Sequence, residues 1–253
     1  MQDESALGRA VAMVVDLRAR CTWDQVQTRD TLRPYLIEEV HELDAALSSG
    51  DAAAIRDEVA DLMLHLAWQL VLGAETKEFT PDDIAEDLVA KMKRRHPHLF
   101  DLGPQEQWSA LKARERKAER GTLDGLPPSL PGLLMSYRLQ ERAAGAGFDW
   151  PDTDGPVAKV REELAEVEHE LGSADENATE NLRDEIGDLL FAVVNLARKA
   201  NVQPGPALDR ANRKFKNRFE QVEQVAKSRG IDMNAAGLKK LDDLWEEVKR
   251  LSP

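Results

Sequence analysis

The sequence predicts an all-α protein built as two tandem helical-bundle modules. Three observations predict it: apolar stripes at helical spacing, an internal duplication, and a proline-rich break near the middle of the chain. Composition agrees, since aromatics make up only 5% and charged residues 32%, a balance that suits Ala-, Leu-, Glu- and Lys-rich helices better than sheet.

The stripes come first. Leu36, Val40, Leu43 and Leu47 recur at i, i+4, i+7 and i+11, and so do Val160, Leu164, Val167 and Leu171. Val59, Met63, Leu66 and Leu70 form a second stripe, matched by Ile186, Leu190, Val193 and Ala197. Each set lies along one side of a helix and is expected to face a core. Within each half a short polar turn, SSGDAAA or GSADENATE, joins the two helices, so they are expected to be antiparallel neighbours.

The duplication follows from aligning these helices. YLIEEVHELDAAL (35–47) pairs with KVREELAEVEHEL (159–171), and IRDEVADLMLHLAWQL (55–70) with LRDEIGDLLFAVVNLA (182–197). KMKRRHPHLF (91–100) pairs with KFKNRFEQV (214–222), and Trp108–Lys112 echoes Trp245–Lys249. Four blocks in one order, twice, mark a repeat. The break is GTLDGLPPSLPG (121–132), where Pro127, Pro128 and Pro131 interrupt any helix. The expected layout is an N-terminal module over 1–120, a linker over 121–132 and a C-terminal module over 133–253.

Bulk properties exclude several function classes. The formal net charge of −13 argues against binding nucleic acid through its phosphate backbone. A small phosphorylated ligand remains open, because a bound dication reverses the local sign. Cys21 is the single cysteine, which fits a reducing compartment and a small buried side chain. The beginning of the chain, MQDESALGRAVAMVV, carries acids where a signal peptide is basic, and no apolar run approaches membrane-spanning length. A cytoplasmic protein that spans no membrane is expected.

The chemistry lies in repeated acids. The first copy contains Glu38, Glu39 and Glu42, then Glu58 and Asp61; the second contains Glu162, Glu163 and Glu166, then Glu185 and Asp188. Glu39 and Glu42, like Glu58 and Asp61, are three apart and project from one side of a helix. Such pairs often form an ordinary solvated face, but here they keep register across both copies. The offset is 124 for Glu39/Glu163 and Glu42/Glu166, and 127 for Glu58/Glu185 and Asp61/Asp188, while nearby polar positions scramble. Antiparallel packing would bring four carboxylates together, and like charges at close range call for a cation. An all-oxygen donor set suits Mg²⁺, with Mn²⁺ as a substitute.

Histidine provides a control. Glu38-x-x-His41 and Glu166-x-x-His169 both fit the carboxylate–histidine element of di-iron bundles. Yet His41 aligns with Ala165 and His169 with Ala45, so the histidines share no register and are expected on the surface.

Together these blocks resemble the MazG family of nucleoside triphosphate pyrophosphohydrolases. CTWDQVQT (21–28), RRHPHLF (94–100), GFDW (147–150) and DEIGDLLFAVVNLAR (184–198) carry the likeness beyond the acids. The acid pattern alone is shared with dimeric dUTPases and phosphoribosyl-ATP pyrophosphatases. The resemblance implies Mg²⁺-dependent cleavage of NTPs or dNTPs between the α and β phosphates, a homodimer, and nucleotide-pool housekeeping. It implies that Glu163, Glu166, Glu185 and Asp188 hold the metal in the C-terminal copy, with Glu162 a candidate to orient or deprotonate water. It further implies that Lys159, Lys214, Arg218 and Lys249 grip the triphosphate and that Trp245 lies near the nucleotide. The C-terminal copy is expected to be the main site. The first copy retains Glu39, Glu42, Glu58, Asp61, Lys91, Arg95, Trp108 and Lys112, and its activity stays open. Two other readings remain: a narrower enzyme restricted to dUTP, and a non-catalytic interaction module using the acidic face.

Overall fold

A computed structural model describes residues 5–105, 121–173 and 177–251. Among these residues there are helices and turns and no strand. The chain divides into two compact units, Met1–Trp108 and Ser109–Pro253.

In the first unit, α1 (Ala6–Arg20) starts where the Ser5 side chain accepts from the Gly8 amide, and it ends at Cys21 in extended backbone. A single turn, α2 (Thr22–Gln25), follows. Thr28 and Thr31 cap α3 (Arg29–Ser49) reciprocally, satisfying two backbone amides that the helix start leaves free. Gly50, at φ 74°, reverses the chain. Asp51 then caps α4 (Ala52–Glu75). A second reciprocal cap, Thr80 with Asp83, and Pro81 in the first turn begin α5 (Pro81–Arg95), and a 3₁₀ turn over Pro97–Leu99 follows. Helix α4 packs against both α1 and α3. The core joins Val14, Leu32, Ala67, Trp68, Val71 and Leu72, with Trp68 only 3% exposed.

The second unit repeats this plan. Helix α6 (Gly132–Gly145) leads into the loop carrying GFDW, then α7 (Asp154–Leu171) and α8 (Ala178–Lys199). Two further helices, α9 (Pro204–Ser228) and α10 (Leu238–Leu251), follow. Helix α8 packs along α7 and α6, as α4 does along α3 and α1. Helices α9 and α10 build their own cluster from Val222, Ala226, Leu244 and Val248, with Trp245 against it.

One expectation is met only in part. The stripes were to be core, yet Val40, Leu47, Val59, Leu66, Leu164, Leu171, Ile186, Leu190 and Val193 are exposed, while Leu70 and Val167 are buried. The helix pairs bury one edge against their own unit and leave a broad apolar face open.

Candidate metal centre and adjoining cavity

The hairpin geometry positions the acids. Glu39 lies eleven residues before Gly50 and Asp61 eleven after it, so folding α3 back on α4 sets them level. Carboxylate oxygens of Glu39, Glu58 and Asp61 all lie within 4.8 Å of one another. Those of Glu163, Glu185 and Asp188 do the same in the second unit. Both triads draw on two helices, one acid from the first and two from the second.

Crowding shows in the ionisation of these groups. Burial pushes the Glu39 carboxyl above its ordinary pKa, and the charges of Asp61, Glu42, Glu58 and Glu38 push it further. Glu58 is raised by burial, then by Glu42, Asp61 and Asp57. Glu166 is raised first by its hydrogen bond with Glu163, then by burial and the charges of Glu163 and Glu185, against a lowering from Lys159. Glu42 thus adds its charge to the first triad, and Glu166 feels that of the second.

The two clusters have different neighbours. In the second unit Lys159 Nζ lies 2.5 Å from Glu163 Oε1 and 2.9 Å from Glu162 Oε1. These bonds hold the ammonium well above the usual lysine range. Glu163 itself is only 4% exposed, so Lys159 offsets a charge that would otherwise be costly to bury. At the aligned position the first unit has Tyr35. There a residue that sequence reasoning missed, His65 of α4, faces Glu39 instead.

The remaining residues expected at the site lie on other helices. Lys214 and Arg218 are on α9, and Trp245 and Lys249 on α10. Trp245 packs 5.2 Å from the Phe215 ring, and Lys249 Nζ bonds Glu246 at 2.7 Å. None of the four is among the groups whose charge acts on Glu166. Lys91 and Arg95 lie on α5, while Trp108 and Lys112 fall outside the described residues.

A cavity of about 500 Å³ opens in the second unit, lined by residues that include Leu139, Gln140, Phe148, Trp150, Phe191 and Asn195. Phe191 and Asn195 follow Asp188 by three and seven residues, one and two helical turns along the same side of α8. Gln140 donates from Nε2 to the Phe191 carbonyl at 2.8 Å. Its Oε1 is buried without a hydrogen-bond partner. The wall is fixed by Arg198, which donates to Asp149 and to Asn195 Oδ1, and by Lys199, which donates to the Trp150 carbonyl. Sequence reading quoted GFDW only as part of a likeness. The available signal for a cavity was Asn195, a lone amide in an otherwise apolar run two turns beyond Asp188.

Helical hairpins that gather acids twice place the chain among all-α proteins whose carboxylate clusters could hold a metal ion. Comparison with known proteins makes the class specific. The model of the MazG nucleotide pyrophosphohydrolase domain matches this chain twice, over residues 27–100 and 156–223, and the chain belongs to that family. It is 37% identical over 233 residues to the nucleoside triphosphate pyrophosphohydrolase/pyrophosphatase MazG of Thermotoga maritima, covering 90% of this chain and 89% of that protein. It is 37% identical over 239 residues to the nucleoside triphosphate pyrophosphohydrolase of Escherichia coli K12, covering 91% and 90%. The uncharacterized protein YabN of Bacillus subtilis is 37% identical over 237 residues, which is 90% of this chain and 48% of that one.

Proposed function

We propose that this chain hydrolyses nucleoside triphosphates between the α and β phosphates, releasing the monophosphate and pyrophosphate, with its main site in the second unit. The observation that carries the reading is the buried Glu163 beside Glu185 and Asp188, with a cavity of about 500 Å³ walled in part by the helix that carries the last two.

The residues fit a hard dication. The second triad offers only carboxylate oxygens, from two helices, close enough to share one ion, which suits Mg²⁺ and admits Mn²⁺. Glu163, Glu166, Glu185 and Asp188 would hold it. When bound, it would offset charge on phosphoryl oxygens and acidify a coordinated water. Glu162, exposed at the rim and bonded to Lys159, orients the attacking water and takes its proton. Lys159 stands ready to turn from the carboxylates toward a phosphate. Trp150 and Phe191 flank the nucleoside, and Gln140 Oε1 can accept from a base amino or imino group.

Lys214, Arg218 and Lys249 would neutralise the β and γ phosphates as pyrophosphate departs, and Trp245 would lie near the nucleotide. Their placement on α9 and α10 supports a homodimer in which two copies complete the binding surface. The open apolar face of α7 and α8, with Leu164, Leu190 and Val193 exposed, supports the same assembly, because such a face costs free energy in water. The linker between the tandem modules would run over residues 121–132. Among the described residues no helix is long and apolar enough to cross a membrane. With net charge −13 and one cysteine, we place the protein in the cytoplasm, acting on free nucleotides and not on nucleic acid.

The test is pyrophosphate and monophosphate release from a mixed NTP and dNTP panel, with Mg²⁺ or EDTA, on wild type, Glu185→Ala and Glu58→Ala. Mg²⁺-dependent release that is lost in Glu185→Ala and kept in Glu58→Ala is expected. Absence of release from every nucleotide would overturn the reading in favour of a binding role.

A further inference from the structure

The two copies differ two turns beyond the acids of their second helix. The alignment that pairs Asp61 with Asp188 also pairs Trp68 with Asn195 and Val71 with Arg198. In the first unit Trp68 and Val71 are core, 3% and 5% exposed. In the second unit Asn195 and Arg198 line the cavity of about 500 Å³ instead. One copy packs an indole into its core at this position, whereas the other walls a cavity with a short amide. A second amide, Gln140 of α6, lines the same cavity.

Both amides are buried, at 6% exposure for Gln140 and 9% for Asn195, and each is held in one orientation. The Phe191 carbonyl can only accept, so the Gln140 atom that meets it at 2.8 Å is Nε2, and the Oε1 acceptor is left over. That oxygen is buried with no hydrogen-bond partner, a cost that folded proteins rarely leave unmet. Arg198 can only donate, and its Nε and Nη2 take both lone pairs of Asn195 Oδ1, at 3.0 and 2.8 Å. What Asn195 has left to offer is the Nδ2 donor. Around the two amides the side chains of Phe148, Trp150 and Phe191 stay exposed, aromatic surface on which a flat ring can stack.

We propose that Gln140 and Asn195 together read the base-pairing edge of a nucleobase, Gln140 Oε1 accepting from its N–H and Asn195 Nδ2 donating to the acceptor beside it. The proposal rests on the reading that a nucleotide enters this cavity. Adenine, guanine, cytosine and uracil all carry an N–H next to a ring nitrogen or carbonyl acceptor on that edge. The pair therefore admits every ordinary base and rejects rings that lack either group, because the wrong ring leaves a buried polar atom unpaired. Such recognition belongs to the second unit, since the first has Trp68 where Asn195 stands.

The test is equilibrium binding to the full chain by titration calorimetry, which reads recognition without turnover. The probes are adenosine monophosphate, purine riboside monophosphate, which lacks only the amino group, and 1-deazaadenosine monophosphate, which lacks only the ring acceptor. Wild type should bind the first about tenfold more tightly than either analogue. Gln140→Leu should bind adenosine monophosphate and the purine riboside nucleotide alike, while still preferring the former to the 1-deaza nucleotide. Asn195→Asp, which keeps the oxygen that Arg198 holds, should show the opposite pattern. A clamp that only ties α6 to α8 would weaken all three probes together and leave their ratios unchanged. Equal binding or no binding of the three by wild type, or wild-type ratios in either folded variant, would overturn the proposal. Absence of pyrophosphate release from every nucleotide, with these ratios as expected, would overturn the hydrolytic reading alone and leave base recognition standing.

Discussion

Removing Arg198 should reveal how tightly the cavity wall is held. In the structure Arg198 Nη2 donates to Asp149 Oδ1 at 2.5 Å and Nη1 to Oδ2 at 3.2 Å, a two-pronged pair. The same guanidinium donates to Asn195 Oδ1 from Nε at 3.0 Å and Nη2 at 2.8 Å. The side chains of Arg198 and Asp149 are 12% and 24% exposed, so solvent screens the pair only partly. Exposed pairs contribute under about 1 kcal/mol, and breaking fully buried ones costs about 3–5 kcal/mol. An intermediate coupling of ~2 kcal/mol follows. A double-mutant cycle with Arg198→Ala and Asp149→Ala should return that value when opening of α8 is measured by amide hydrogen exchange.

The coupling carries a pH signature with a definite sign. The hydrogen bond from Arg198 holds the Asp149 carboxyl below the usual aspartate range, against an opposing effect of burial. A pKa depressed on folding gives stability that is present above the unfolded value, about 3.9, and fades as pH falls through the lower folded value. The cycle should therefore read its full coupling at pH 7 and much less below about pH 3. A coupling under about 0.5 kcal/mol, or one equal at both pH values, would refute the reasoning.

Two further outcomes are expected, besides those for catalysis and base recognition. Trp68→Ala empties the centre of the first unit's core, where Trp68 packs with Val14, Leu32 and Val71; a loss of about 3–5 kcal/mol should appear in thermal unfolding of that unit. Gly155→Ala places a Cβ inside the Trp150 ring, so the indole must leave its position in the cavity wall. Substrate KM should then rise several-fold while the melting temperature moves little, and an unchanged KM would detach Trp150 from nucleotide binding.

Much of the fold was legible because helices announce themselves locally. The apolar spacing, the SSGDAAA turn that holds Gly50, and the acid register are all short-range features, and the register, doubled by the repeat, foretold the gathering of Glu39, Glu58 and Asp61 and of Glu163, Glu185 and Asp188. Periodicity could not say what each stripe faces. Leu190 and Val193 repeat at helical spacing exactly as a core stripe would in pattern, yet they are exposed in the single chain, because period reports which residues share a side and not what covers it. The cavity was illegible for a different reason. Gln140, Trp150 and Asn195 come from three separate segments, and only tertiary packing makes them neighbours. His65 was hidden by its apolar surroundings in LMLHLAW, where an isolated histidine reads as filler. The repeat could have exposed it, since its counterpart is Ala192.

Lys159 gives the second cluster an internal counter-ion, tethered four residues from the acid it neutralises. Loading a dication there would consequently be an exchange and not a simple addition, since Glu163 would have to release the Lys159 ammonium. The bonds surrendered would reduce affinity, and selectivity would shift toward ions of charge two over charge one, since a monovalent ion would replace Lys159 at no electrostatic gain. On the proposed function, a displaced Lys159 ammonium would become available to an anionic substrate at the same cluster.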